Sequence, residues 1–300
     1  MAATCAKGPR IWLDMDQAEL DAAYEQSNYA PNQAQVLGRR AINSAFARTI
    51  LGVPLRRAYG TADIEQLDIY RTGVGNAPIN VFLHGGTWRN GRAVDFAYLA
   101  ELFVNAGAHF IIPDFSSLND IDGNLMVLAE QVRSAVAWVY RNAASFGGDP
   151  DRIYVSGNSS GGHLAGCVVT TDWRGEFNLP KDLVKGGLLT SGMYDLKPVR
   201  LSSRSQYVKI TDEIEEQLSP QRHLDRLHCP IIVSYGSLET PEFRRQARDF
   251  ATAVHALAKP IKLLAGEGYN HFEMLETLAT PYGLLGRVVL AQMKLLQTRT

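Results

Sequence analysis

The stretch RIYVSGNSSGGHLA (152–165) carries an apolar run, then glycines and serines, then a second apolar segment. This order predicts a buried strand, a tight turn and a helix that begins after the turn. The pattern Gly-x-Ser-x-Gly fits one register only, GNSSG at 157–161, because a centre at Ser160 would need glycine at 158. The glycines allow a strained turn that leaves the central hydroxyl exposed. The stretch therefore predicts that Ser159 is a nucleophile rather than part of a flexible turn.

Short apolar runs and longer helical patterns alternate from about residue 55 onward. The runs are apolar throughout, which is typical of strands buried on both faces. They predict strands at 79–86, 109–114, 152–158, 186–192, 230–236 and 261–268. Apolar residues at steps of three or four predict helices over 125–139 and 243–257. The alternation predicts an α/β protein with a mainly parallel sheet covered by helices on both faces.

Three regions depart from this alternation. Residues 66–82 resemble a hairpin that leads into the sheet, with a Gly-Val-Gly turn. Residues 1–50 are mostly helical and polar, and residues 193–228 are rich in charge and serine. Long excursions of this kind are usually functional. We expect a single domain over 1–300, with 1–50 and 193–228 as cap elements over the ends of the strands.

Composition limits the classes of partner. The chain has 300 residues, 46% of them hydrophobic, and a formal net charge of -1, which gives no reason to expect nucleic acid or an anionic membrane as a partner. No apolar stretch approaches the roughly 18 residues of a membrane span, and the first residues lack the apolar core of a signal peptide. Three cysteines, Cys5, Cys167 and Cys229, have no metal-binding spacing, and the last two are expected to be buried. We expect a cytoplasmic protein with a small-molecule substrate, and a homo-oligomer is compatible with the sequence.

A serine nucleophile needs a base to take its proton and an acid to orient that base. In the fold that presents a serine on such a turn, the acid and then the histidine follow the nucleophile along the chain. Of the seven histidines, His271 is the candidate base, because it follows the last predicted strand in a loop rich in Gly and Asn. Glu239 is the candidate acid, since it lies in the loop after strand 230–236, whereas Glu242 is explained by the dipole of the next helix. Asp195 is the alternative acid, although an aspartate that ties down the cap is the interpretation we favour for it.

The segment HGGTW ends the first long predicted strand and supplies glycines beside the nucleophile. Backbone N–H groups in such a loop can stabilise an oxyanion together with the N–H that follows the nucleophile. The predicted donors are Gly86, Thr87 and Ser160. We expect His84 to brace the loop by hydrogen bonding. Trp88 is expected either to form a wall of the substrate pocket or to pack in the interior.

Five segments together resemble the arylformamidases (kynurenine formamidases) and their bacterial relatives, on the esterase side of the α/β-hydrolase superfamily. The segments are HGGTW at 84–88, GGDPDRIYVSGNSSGGHLA at 147–165, SGMYDLKPV at 191–199, ETPEFRRQ at 239–246 and GYNHFEM at 268–274. The resemblance covers about 55–300, and the N-terminal helical segment also resembles the family's cap. It implies that Ser159 is the nucleophile and His271 the base. Glu239 stands where the family usually has aspartate, and Asn158 where it often has histidine.

The resemblance implies an α/β-hydrolase that transfers an acyl group to serine and then to water, without a metal or organic cofactor. The implied substrate is a small ester or amide, an aryl formamide included. A general carboxylesterase and a hydrolase of xenobiotic amides or carbamates are the alternatives within the same chemistry. A non-catalytic ligand-binding protein with this fold is the alternative from another class.

Overall fold

The structure, a computed structural model, describes residues 7–296. Within them the strands are β1 Leu55–Ala58, β2 Gln66–Tyr70, β3 Ala77–Leu83, β4 His109–Pro113, β5 Gly148–Asn158, β6 Val184–Thr190, β7 Ile231–Gly236 and β8 Ile261–Gly266. The α-helices are α1 Gln17–Ala23, α2 Gln33–Leu51, α3 Ala100–Asn105, α4 Leu125–Asn142, α5 Ser160–Val169, α6 Trp173–Phe177, α7 Lys197–Leu201, α8 Asp212–Gln217, α9 Pro241–Ala256, α10 His271–Glu276 and α11 Leu284–Gln292. Short 3-10 turns connect several of these elements.

The strands form one sheet in the order β1-β2-β4-β3-β5-β6-β7-β8. Strands β1 and β2 are antiparallel to their neighbours, and all pairs from β4 to β8 are parallel. All six predicted strands are present, and the prediction of an α/β-hydrolase fold with a mainly parallel sheet is confirmed. Helices that link parallel strands cover both faces of such a sheet, which is why its central strands are apolar throughout.

Two expectations about the sheet are wrong. The segment 66–82 is not a hairpin, because β2 pairs with β4 and β3 lies between β4 and β5. Strand β3 therefore has a parallel partner on each edge, whereas a hairpin would have placed the antiparallel strand β2 on one of them. Strand β8 is not buried either, since it is the last strand of the sheet and exposes Lys262 and Leu263.

The core lies on both faces of the sheet. Ile79 and Val81 of β3 belong to the cluster that also contains Val132 of α4. Phe82 points to the opposite face and joins the cluster with Leu285 of α11. Alternate residues of one strand therefore enter two different apolar layers, as expected for a sheet with helices on each side.

The two predicted helices are confirmed, with ends set by local chemistry. The pattern at 125–139 corresponds to α4 and the pattern at 243–257 to α9. At the start of α9, the Thr240 hydroxyl accepts a hydrogen bond from the Phe243 N–H at 3.5 Å and Pro241 occupies the first turn. Among the described residues, no helix is long and apolar enough to cross a membrane.

The two cap candidates pack against each other. We call residues 7–50 the N-terminal segment and residues 193–228 the insert; residues 1–6, with Cys5, lie outside the described part of the chain. The Arg204 guanidinium of the insert donates to the Tyr24 carbonyl of the N-terminal segment at 2.9 Å. Both segments contribute to the cavity that contains Ser159, so they lie on the side of the sheet where the candidate nucleophile is presented.

Candidate active site

Ser159 lies on a strained turn between β5 and α5. Its backbone has φ 59° and ψ -125°, a left-handed conformation that is uncommon for a residue with a side chain. A Cβ at Gly157 would stand 2.2 Å from the Gly161 carbonyl oxygen, and a Cβ at Gly161 would stand 2.0 Å from the Leu83 carbonyl oxygen. The two glycines are therefore required by close backbone contacts, as the sequence pattern predicts.

The structure brings Ser159, His271 and Glu239 together although the first and last of them in the chain are 112 residues apart. His271 Nε2 is 2.9 Å from Ser159 Oγ, and His271 Nδ1 is 3.0 Å from Glu239 Oε2. The other carboxylate oxygen of Glu239 accepts hydrogen bonds from the Ser191 hydroxyl and the Gly236 N–H, both at 2.6 Å. Because a carboxylate can only accept, Nδ1 carries the imidazole proton and Nε2 is free to accept the serine proton.

Local structure around His271 fixes its ring. It is the first residue of α10, and the Asn270 side chain before it accepts hydrogen bonds from the N–H groups of Phe272 and Glu273 at 3.0 Å and 3.1 Å. The Phe243 and Phe272 rings pack against the imidazole edge to face, with centroid separations of 5.2 Å and 5.4 Å. The helix cap and the two rings hold the imidazole between the serine and the glutamate.

Ser191 is a contact of the site that the sequence did not predict. It follows β6, its φ is 52°, and it is completely buried. Its backbone N–H donates to the Ser234 carbonyl at 2.7 Å, which joins it to β7. No sequence pattern signals this role, since it depends on β6 and β7 being neighbours in the sheet.

Asp195, the alternative acid, is elsewhere. Its carboxylate accepts a hydrogen bond from the Lys197 N–H at 3.1 Å and lies 3.7 Å from the Arg222 guanidinium. Both contacts are within the insert, and the Gln246 side chain holds the Asp195 N–H at 2.9 Å. Asp195 thus ties down the insert, as we favoured, and its side chain is half-buried.

Three N–H groups beside Ser159 Oγ are candidates for oxyanion binding. Within residues 7–296, the N–H groups of Gly86, Thr87 and Ser160 donate to no protein acceptor. Gly86 has φ 126°, where a Cβ would stand 2.1 Å from the Asn90 carbonyl oxygen. The loop is held onto the start of α5, because the N–H that follows Thr87 donates to Ser160 Oγ at 3.1 Å. Ser160 stands at the N-terminus of α5 and Gly86 and Thr87 lie in the loop after β3, so the three N–H groups are suited to binding an anion.

The expectation that Trp88 forms a wall of the substrate pocket is wrong. Its side chain is 2% exposed, lies outside the lining of the cavity and packs edge to face on His163 at 5.3 Å. The bond from its N–H to Ser160 fixes the backbone so that the indole enters the core beside α5. His84 accords with a bracing role: its Nδ1 contacts the carbonyl of the next residue at 3.1 Å and its ring stacks on Phe115 at 4.2 Å. Burial lowers the pKa of His84, so the ring stays neutral.

A cavity of about 760 Å³ opens above Ser159 and His271. Its walls come from the N-terminal segment, from the loop after β3 and from the insert. Tyr24 of the N-terminal segment and Tyr207 of the insert line it, whereas Tyr29 and Tyr194 of the same two segments do not. This volume is typical of a site for a small organic molecule.

The other reactive groups give no second site. Cys167 and Cys229 are free and buried, as predicted, and burial raises the pKa of each thiol to about 12. Thiols with such pKa values are protonated at neutral pH and inert as nucleophiles. Across the described residues, no three His, Cys, Asp or Glu side chains are grouped so that they could hold a metal ion.

Comparison with known proteins supports the same chemistry. The family model BD-FAE matches residues 67–185, a span that includes Ser159. The kynurenine formamidase of Danio rerio is 30% identical over 93% of this chain and 97% of its own length. The isoprenylcysteine alpha-carbonyl methylesterase of Arabidopsis thaliana is 26% identical over 72% of this chain and 56% of its own length. A thermophilic esterase from Thermogutta terrifontis shares the fold, with a TM-score of 0.67 at 20% identity over 83% of this chain and 98% of the esterase.

Proposed function

The chain belongs to the kynurenine formamidase family of α/β-hydrolases, and from this premise we propose that it hydrolyses the formamide bond of an aryl formamide through Ser159, His271 and Glu239. Its relatives are formamidases and esterases, and the chain is a serine hydrolase of ester or amide bonds in small molecules. One observation carries the proposal for the residues. The hydrogen-bonded series of serine, imidazole and carboxylate, at 2.9 Å and 3.0 Å, ends in a cavity of suitable size.

The first half of the reaction forms a formyl-enzyme. Nε2 of His271 takes the hydroxyl proton of Ser159 as Oγ attacks the formyl carbon. The oxyanion that forms accepts hydrogen bonds from the N–H groups of Gly86, Thr87 and Ser160, and the N-terminus of α5 adds a favourable dipole. These donors are unpaired before the reaction, so no bond to the protein is lost when they bind the oxyanion.

Collapse of the oxyanion intermediate completes the formyl-enzyme, and water then returns the free enzyme. The imidazolium of His271 is stabilised by Glu239 and gives its proton to the leaving arylamine, and the C–N bond breaks. Water then gives a proton to Nε2 and attacks the formyl carbon, so that formate leaves and Ser159 regains its proton. The proton taken from Ser159 goes to the arylamine, and the proton taken from water goes back to Ser159, so the two steps need no cofactor.

The N-terminal segment and the insert are proposed to act as one cap on a single hydrolase domain. Residues of both line the cavity, and Tyr24 and Tyr207 provide aromatic walls from the two sides. A second candidate substrate class is a small carboxylic ester, which the similarity to a methylesterase favours. Ester and formamide hydrolysis use the same residues, so the cap and the acyl group decide between them.

A substrate panel with active-site labelling tests the proposal. We expect a fluorophosphonate to label the wild-type protein and the Ser160→Ala variant but not Ser159→Ala. We expect kcat/KM for formanilide to exceed kcat/KM for acetanilide and for phenyl acetate. A higher kcat/KM for phenyl acetate would favour the esterase, and a wild-type protein that is not labelled would contradict a serine hydrolase altogether.

A further inference from the structure

Helix α2 exposes large apolar side chains to solvent. The exposed fraction is 70% for Ile42, 63% for Phe46 and 53% for Ile50, and Val53, which follows the helix, is 86% exposed. The other long helices, α4 and α9, expose no large apolar side chain. A surface helix normally presents polar residues to solvent, and contiguous exposed apolar side chains mark interaction sites. The outer face of α2 is therefore a candidate contact surface.

The outer face of α2 consists of two neighbouring rows, because residues four apart lie above one another on a helix. The large row is Ile42, Phe46 and Ile50, and the small row is Ala41, Ala45 and Thr49. All six residues are exposed. The Thr49 hydroxyl donates to the Phe46 carbonyl at 2.7 Å, so the small row has no unpaired polar side chain. A ridge of large residues beside a groove of small ones is the shape through which two helices interdigitate.

Charged residues flank the outer face of α2 and do not enter it. The helical period places Arg39 beside the large row and Arg48 beside the small row, on opposite edges of the face. Arg39 forms an ion pair with Glu276 of its own chain at 2.9 Å. A twofold axis across two antiparallel helices brings equal edges together, so Arg39 of one copy would not face Arg48 of another. An apolar centre with a polar rim is the usual composition of a protein–protein interface.

The outer face is self-complementary, which favours a second copy of this chain as its partner. When the large row of one copy lies along the small row of the other, a twofold axis places the second large row along the first small row at the same time. A flat lipid layer would leave the small row without close contact. The area fits as well: the exposed side chains of the two rows and Val53 amount to roughly 700 Å² per copy, close to the roughly 800 Å² that each partner of a standard interface buries.

The inner side of α2 is held against the hydrolase domain. The Ser44 hydroxyl donates to the Asp95 carbonyl at 2.7 Å, and Leu37 and Ala41 line the cavity above Ser159. Ala41 belongs both to the cavity lining and to the small row, so a second copy on the outer face would stand beside the cavity and not inside it. Contact between two copies would therefore leave the hydrolytic residues untouched.

We propose that two copies of this chain form a twofold dimer through α2, with the large row of each copy lying along the small row of the other. Rows four residues apart interdigitate when the helix axes cross at about −50°, the commonest class of helix packing. Burial of the exposed apolar side chains on both copies drives the association. The dimer is independent of the substrate proposed above.

Sedimentation velocity over a wide range of protein concentrations tests the dimer. We expect the wild-type protein to sediment as a dimer. Phe46→Glu and Ile42→Glu should each raise the Kd of the dimer by roughly 30-fold or more, because each places a carboxylate in an apolar contact. Leu263→Glu is the matched control, since Leu263 is an exposed apolar residue on β8, the edge strand farthest from β1, and it should leave the Kd as it is. All three variants should keep the wild-type kcat with p-nitrophenyl acetate, which shows that they are folded.

A cross-linking experiment keeps the test valid if the glutamate variants do not fold. Ala45 lies at the middle of the small row, close to the expected twofold axis, so Ala45→Cys in a Cys5→Ser background should be joined to a second copy by a short bismaleimide. Thr252→Cys in the same background, at an exposed position of α9, is the control and should stay uncross-linked. Equal cross-linking of the two variants, or none in Ala45→Cys, would contradict the proposal.

Three other results would overturn the dimer through α2. They are a wild-type protein that is monomeric at every concentration, a dimer that survives both glutamate substitutions in α2, and a dimer that only Leu263→Glu dissociates. A monomer that pellets with vesicles of phosphatidylcholine and phosphatidylserine, and loses this binding in Phe46→Glu, would also overturn it by assigning the outer face to a lipid surface.

Discussion

The two oxygens of the Glu239 carboxylate have different partners, so Glu239→Gln has a defined outcome. Oε1 accepts from the Ser191 hydroxyl and from the Gly236 N–H, and Oε2 faces His271 Nδ1. The Gly236 N–H cannot become an acceptor. The amide oxygen of glutamine must therefore take the Oε1 position, and its NH₂ group must face His271.

This orientation reverses the tautomer of the imidazole. A donor opposite Nδ1 makes Nδ1 an acceptor and moves the imidazole proton to Nε2, which then cannot accept the proton of Ser159. The negative charge that stabilises the imidazolium is lost as well. Neutralising the acid of a Ser-His-Asp triad lowers kcat about 10⁴-fold, or about 5.5 kcal/mol of transition-state stabilisation. Because the structure fixes the orientation of the glutamine amide, we expect kcat of Glu239→Gln to fall by about four orders of magnitude rather than two.

The assay is kcat with p-nitrophenyl acetate, together with the rate of fluorophosphonate labelling and a thermal unfolding curve. Glu239→Asp is the matched control, since it keeps the charge, shortens the side chain by one methylene and should lose much less activity. A Glu239→Gln protein with wild-type thermal stability and more than a tenth of wild-type kcat would refute the reasoning, because the carboxylate would not then set the tautomer.

Three further outcomes are expected. Ser159→Ala should lower kcat by several orders of magnitude, because it removes the nucleophile. Ser160→Ala keeps its backbone N–H, so its kcat should stay within roughly tenfold of the wild-type value. The reverse result would disprove the register of Gly-x-Ser-x-Gly. Asp195→Asn should lower the free energy of unfolding in urea by at most about 1 kcal/mol with kcat little changed, because its ion pair is partly exposed; a loss of turnover above a hundredfold would contradict this. Burial lowers the pKa of His163 to about 4, so the folded protein keeps the ring neutral. Below about pH 6.5 the His163 ring binds a proton in the unfolded chain but not in the folded chain, so this residue lowers the free energy of unfolding by about 3 kcal/mol as the pH falls from 6.5 to 4. Above pH 6.5 it causes no such loss. Urea titrations should show a smaller decrease over this pH range in His163→Gln than in the wild type, and an equal decrease would refute the assignment.

Several features of this protein were determined by the sequence alone, because their causes are local. The register of Gly-x-Ser-x-Gly follows from contacts that Gly157 and Gly161 make within one turn and with the adjacent strand. The strands and the two long helices follow from hydrophobic period and from caps such as Thr240. Chain order placed both Glu239 and Asp195 after parallel strands and between Ser159 and His271, and it was the contact of Glu239 with His271 Nδ1 at 3.0 Å that decided between them.

Other features were decided only by the tertiary structure. The order of strands placed β2 beside β4, and the same order put Ser191 against Glu239, which no local pattern encodes. The indole of Trp88 turned into the core because of a bond from its backbone to a helix 72 residues away. Hydrophobic periodicity and turn-forming residues act over a few positions of the chain. Strand order and side-chain orientation are instead set by contacts between distant parts of the chain.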